Sequence, residues 1–258
     1  MKRRNFIKGS AMMAGAAVAG SAIAAVPAPG GEKQIYEWRV YRFKNGGQKS
    51  RVDRFYRETL IPVLNEYGVT VGAFGEYSQA DPPVVYYLLV FPSMKAYHEI
   101  KNAIWKNETF LQKSKSYFDE TAENGAYIRF ETYLMEAFDA IPQLRMPDKT
   151  RGVFELRTYE SNNEEAGQRK IGMFNREELA LFDQVGLHAV FFGEILAGPQ
   201  MPALMYMLWF ANLDERAENW QKFIGSPDWD EMKNRPEYAN TVSVVNKVFL
   251  LPLDYSQI

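Results

Sequence analysis

A seven-residue pattern occurs twice in this chain, 118 positions apart. Ile35-Tyr36-Glu37-Trp38-Arg39-Val40-Tyr41 aligns with Val153-Phe154-Glu155-Leu156-Arg157-Thr158-Tyr159, each reading apolar, aromatic, Glu, apolar, Arg, β-branched, Tyr. At the same offset Phe74-Gly75-Glu76 aligns with Phe192-Gly193-Glu194. One residue later in register, Leu88-Leu89-Val90-Phe91 aligns with Met207-Leu208-Trp209-Phe210, and Phe110 falls opposite Trp229. A duplication restricts the fold to an architecture in which one unit buries its open face against its own copy.

Each copy carries the same order of signals. In the first, strand-like alternation over 35–42 is followed by helical spacing over 49–67. Strands are predicted over 69–77 and 84–91, separated by the Ala80-Asp81-Pro82-Pro83 turn, then a long helix over 93–120 and a strand over 126–135. The second copy repeats this at 152–160, 166–185, 187–196, 203–211, 213–234 and 242–251. The order βαββαβ is the ferredoxin-like unit. Its four-stranded sheet has helices on one face only, so the other must be covered. The expected fold is therefore α+β: two tandem βαββαβ modules, 33–138 and 151–254, packed sheet to sheet as an intramolecular, pseudo-dimeric α+β barrel. A Pro-punctuated linker is expected over 139–150. Further oligomers are possible and are not required to close the barrel.

The chain begins Met1-Lys2-Arg3-Arg4-Asn5-Phe6-Ile7-Lys8, followed by small apolar residues to Ala25, with Ala22-Ile23-Ala24 placed for cleavage. This is the pattern of a twin-arginine signal peptide over 1–25, with Arg3 and Arg4 as the pair read by the export machinery and the cut after Ala24 or Ala25. It implies a periplasmic or otherwise exported bacterial protein with no membrane span once cleaved. The leader holds four of the 30 basic residues and no acid, so 26 basic residues face 32 acidic ones and the body carries a net charge of −6. An acidic body without a basic cluster argues against nucleic acid as a partner. The absence of cysteine removes disulfides, thiolate metal sites and a cysteine nucleophile. With only two histidines, no metal site and no cofactor are expected, and His98 is not expected to bind haem.

Met207-Leu208-Trp209-Phe210-Ala211-Asn212-Leu213-Asp214-Glu215-Arg216-Ala217, the later Pro227-Asp228-Trp229, and the opening Glu155-Leu156-Arg157-Thr158-Tyr159 resemble the signature of the NIPSNAP family. The first copy lacks the Asp-Glu-Arg and Pro-x-Trp elements and reads as a diverged module. The resemblance implies the dimeric α+β barrel fold and no settled activity; related barrels include cofactor-free monooxygenases and haem enzymes. The residues of the motif also have structural uses, Asn212 or Asp214 as a helix cap and Trp209, Trp220, Phe223 and Trp229 as packing.

Period-two alternation divides each strand into two faces. With the more apolar face turned to the helices, Glu37, Arg39, Tyr41, Glu76, Glu155, Arg157, Tyr159, His188, Phe192 and Glu194 would point into the barrel. They are the candidate ligand-binding residues of an interior cavity. The alternative is that the Glu–Arg pairs only knit the halves together. His188, beside Glu194, is the candidate general base, with a purely structural role as its alternative. Three functions stay open: binding of a small, partly apolar molecule in the barrel, cofactor-free oxygenase- or isomerase-like catalysis, and a protein-interaction module.

Overall fold

A computed structural model describes residues 32–147 and 152–258; the twin-arginine pattern with Arg3 and Arg4, and the expected cut, lie outside them. The element order is β1 (Ile35–Arg42), α1 (Gly46–Phe55), α2 (Ile61–Glu66), β2 (Thr70–Glu76), β3 (Val84–Phe91), α3 (Met94–Ala103), α4 (Glu108–Phe118) and β4 (Arg129–Ala137). It repeats as β5 (Val153–Glu160), α5 (Glu164–Met173), α6 (Leu179–Val185), β6 (His188–Ala197), β7 (Ala203–Phe210), α7 (Leu213–Ile224), α8 (Pro227–Lys233) and β8 (Val244–Pro252). The eight strands close in the order β1-β3-β2-β8-β5-β7-β6-β4. All ladders are antiparallel, and the two halves join at β2–β8 and β4–β6. Closure leaves no free sheet edge.

Local chemistry fixes the helix ends. Asn45, Ser93, Asn107, Asn163 and Asn212 each cap a helix by accepting a backbone N–H bond with the side chain. The expected helix over 93–120 is broken at the cap Asn107, and that over 213–234 at Gly225-Ser226-Pro227, where Ser226 caps α8. Each such cap is worth about 1 kcal/mol, enough to restart a helix where the chain bends. The expected linker is not free along its length. Gln34 N donates to Pro142 O, and Arg145 N donates to Val190 O.

The barrel interior is filled. Tyr36, Trp38, Phe74, Phe154, Phe191 and Met207 belong to one buried cluster that unites both halves. Trp38 stacks on Phe74 with centroids 6.0 Å apart, and Phe74 meets Phe154 edge-on at 5.0 Å. Eight strands enclose a space that side chains of this size can occupy completely. Two further cores lie outside the barrel, one beneath the helices of each half.

Candidate functional site

This packing reverses the expected orientation of the first strands. Tyr36, Trp38 and Val40, like Phe154 and Leu156, face the interior, whereas Tyr41 packs among the helix residues Val52, Phe55 and Ile100. Glu37, Arg39, Tyr41, Glu155, Arg157 and Tyr159 therefore lie between sheet and helices, not in the barrel. The reason is chemical. A closed interior offers a carboxylate or guanidinium neither water nor a helix-borne partner, and unpaired charge there is prohibitive.

A bulge moves a second group. Phe74 pairs with Tyr86, but Phe192 pairs with Tyr206, the counterpart of Tyr87, because the β6 register slips between Ala189 and Phe191. One extra residue flips every later side chain to the opposite face. Phe192 thus stacks on Tyr206 at 4.5 Å under the helices, and Glu194 accepts from Gln168 of α5 at 2.6 Å. Phe191 and Ile195 face the interior in place of Phe192 and Glu194. Glu76 does lie on the barrel side, accepting from Tyr86 Oη at 2.6 Å. His188 stands at the barrel rim, 47% exposed, with Glu215 at 3.7 Å and Trp209 beside it. Glu194 is six positions further along β6 and bonded elsewhere, so the expected His188–Glu194 pair is not formed.

The outward-facing residues build a buried polar cluster in each half. In the first, Glu37 is buried and accepts from Arg39 Nε at 2.8 Å and Lys101 Nζ at 3.4 Å. Arg39 Nη1 donates to Tyr56 Oη at 3.0 Å, and Tyr56 donates to Tyr41 Oη at 3.2 Å. Burial opposes ionisation of Glu37, yet the Arg39 and Lys101 cations hold its carboxyl below the usual range. Burial pushes the Tyr41 and Tyr56 hydroxyls up, so both are neutral donors at physiological pH. Burial lowers the Lys101 ammonium, which Glu37 partly restores.

Arg39, Lys101 and Tyr41 form the polar end of a cavity of 190 Å³ between β1, β3 and the helices. Its walls include Phe55, Leu64, Phe91, Ile104, Phe110 and Tyr117. The helix above it passes through a single π-helical stretch, Tyr56–Leu60, between α1 and α2, and this stretch delivers Tyr56 to Arg39. The second half has a π stretch at the corresponding place, Phe174–Glu178. Such stretches recur at functional sites because they re-aim side chains within an otherwise regular helix.

In the second half Glu155 is wholly buried and accepts four hydrogen bonds. Arg216 gives two, from Nε at 2.8 Å and Nη2 at 2.9 Å; Trp220 Nε1 gives one at 2.9 Å and Arg157 Nη1 one at 3.0 Å. Burial disfavours the carboxylate, but Arg216 and Arg157 together hold its pKa below the usual range. The Asp-Glu-Arg motif thus acts across the layer: Asn212 caps α7, Glu215 accepts from Ala211 N, and Arg216 clamps β5. The cap is legible in the sequence and the clamp is not, its one signal being the Glu of β5 facing the same layer as the helix.

Arg157 and Tyr159 line a second cavity of 470 Å³ with Lys170, Glu178, Trp220 and Trp229. Among the described residues no group of three or more His, Cys, Asp or Glu side chains is arranged to hold a metal ion, and no helix is long and apolar enough to cross a membrane.

Residues 154–257 match the NIPSNAP family. No curated protein matches the chain by sequence. Among solved structures, a candidate monooxygenase from Lactobacillus acidophilus aligns with a TM-score of 0.57 at 12% identity, covering 86% of this chain and 94% of that one. A candidate monooxygenase from Fusobacterium nucleatum gives 0.56 at 10% identity, covering 88% and 99%. A NIPSNAP family protein from Agrobacterium tumefaciens shares 20% identity over 41% of this chain and 97% of its own, with a TM-score of 0.38. The first two likenesses extend over most of both chains and show the dimeric α+β barrel fold.

Proposed function

We propose that this chain is an exported NIPSNAP-type protein that binds a small, largely apolar organic anion between the sheet and helices of its first half. Export rests on the signal pattern at Met1–Lys8. Binding rests on one observation: two cations, Arg39 and Lys101, share the single carboxylate Glu37 at the end of an otherwise aromatic and aliphatic cavity. One positive charge is left over where Arg39 is 12% exposed and Lys101 reaches solvent, and a ligand carrying one negative charge compensates it. The cavity volume suits one ring with a short substituent. The test is calorimetric titration with 4-methylbenzoate and its neutral analogue 4-methylbenzyl alcohol. The acid is expected to bind at least about tenfold more tightly, a difference of ~1.4 kcal/mol. Arg39→Met should remove that preference. Equal affinity for acid and alcohol would overturn the charge argument.

A catalytic reading is favoured by the Arg39–Tyr56–Tyr41 chain, whose last hydroxyl, that of Tyr41, lines the cavity and can donate to a phenolate oxygen, and by fold likeness to proteins named as monooxygenases and to an anthrone oxidase-like protein. Oxygen uptake with a one-ring hydroquinone, abolished in Tyr56→Phe, supports it; binding without uptake leaves the protein a carrier.

A further inference from the structure

The second cavity is the counterpart of the first, with a different wall. Arg157 and Tyr159 stand where the first half has Arg39 and Tyr41. At the 118-residue offset, however, Lys170 replaces Val52 and Glu178 replaces Leu60. Lys170 and Glu178 are both buried, and Nζ donates to Oε2 at 2.5 Å. The ammonium sits 4.3 Å from the Phe174 ring and 5.8 Å from Trp229. A buried ion pair is often no more stabilising than an apolar pair of similar size, and the first half shows that this scaffold accepts Val and Leu here. Packing alone therefore does not account for the pair.

Two more observations point to a ligand. Arg157 Nε is buried and has no hydrogen-bond partner among the described residues, an uncommon state for a donor on a cavity wall. The surrounding charges also do not cancel. Among the described residues Arg157, Lys170 and Arg216 pair with Glu155 and Glu178, and Lys233 with Asp230, leaving one positive charge over. Arg157 lies over the Trp220 ring at 4.5 Å, and Trp220 and Trp229 wall a space more than twice the volume of the first cavity, 470 against 190 Å³.

We infer that the second half contains a separate binding site for a planar, two-ring organic anion carrying a hydroxyl. Its acidic group is met by Arg157, its rings by Trp220 and Trp229, and its hydroxyl by the Lys170–Glu178 pair. The site differs from the first in ligand size and in demanding a polar substituent. A tandem chain permits this divergence, whereas a symmetric homodimer must carry two identical sites.

The test uses the whole protein and two probes, 2-naphthoate and 6-hydroxy-2-naphthoate, followed by tryptophan fluorescence and calorimetry. The hydroxylated acid is expected to bind about tenfold more tightly, as a hydrogen bond to a charged group warrants. Arg157→Met should weaken both naphthoates about tenfold or more and leave 4-methylbenzoate unaffected; Glu155 keeps its Arg216 clamp in that variant. The double variant Lys170→Val/Glu178→Leu, which installs the first half's residues, should stay folded and abolish the preference for the hydroxyl. Naphthoate binding that is lost in Arg39→Met and untouched in Arg157→Met overturns the proposal, as does absence of naphthoate binding to a folded wild type. Failure of 4-methylbenzoate alone counts only against the first site.

Discussion

Glu155→Gln is the sharpest perturbation of the clamp. The carboxylate is inaccessible to solvent and serves two guanidinium groups and an indole N–H. Glutamine keeps one acceptor oxygen and turns an NH₂ group toward donors, leaving Arg157 and Arg216 uncompensated. Both arginine side chains are less than a quarter exposed, 14% and 21%, so solvent relieves little of the strain. Removing one partner of a buried pair costs about 3–5 kcal/mol, about a fifth or more of the ~5–15 kcal/mol that holds a typical domain folded. For a chain of this size the melting temperature should fall by about 6–20 °C. The counterpart Glu37→Gln should cost less, because Lys101 is 42% exposed and stands 3.4 Å away. The pH dependence has a fixed sign. The Glu155 carboxyl is held below its ordinary value near 4.5, so its contribution is complete above that value and is lost as pH falls through the lower folded-state one. The gap between wild type and Glu155→Gln, measured by circular dichroism melts, should therefore be full at pH 7 and narrow below about pH 4.5. A loss under about 1 kcal/mol at pH 7, or a gap that does not narrow in acid, refutes the reasoning.

Gly72→Ala tests the filled barrel: a Cβ there would lie 2.7 Å from the Phe74 ring and 3.1 Å from Ile258 Cδ1. Overpacking should cost about 1–3 kcal/mol in a melt; an unchanged melting temperature would mean the interior has room. His188→Ala should change stability by no more than about 0.5 kcal/mol and leave 4-methylbenzoate affinity unchanged, since the ring sits exposed at the rim. A large loss of binding would restore His188 as a functional group. Deleting Val190 removes the unpaired residue of the β6 bulge and leaves Phe192 and Glu194 paired as before, on the helix side. The variant should therefore stay folded and lose only about 1.5–3 kcal/mol, the worth of one buried valine side chain; loss of soluble expression would mean that the bulge itself is needed for closure.

The repeat, the βαββαβ order and the closure of two sheets on each other were all legible in the residues, because period and duplication are properties of the chain itself. Of the polar strand residues singled out, Arg39, Tyr41, Arg157 and Tyr159 line cavities, with Glu37 and Glu155 bonded behind them. Their side of the sheet was not legible. Alternation separates two faces but does not say which is inside, and here both are buried. The tertiary structure decided it, since only the helix layer supplies Lys101, Tyr56, Arg216 and Trp220 to receive the charges, whereas the barrel supplies aromatic rings. One bulge residue then carried Phe192 and Glu194 outward, a displacement that exists only in the pairing of β6 with β7.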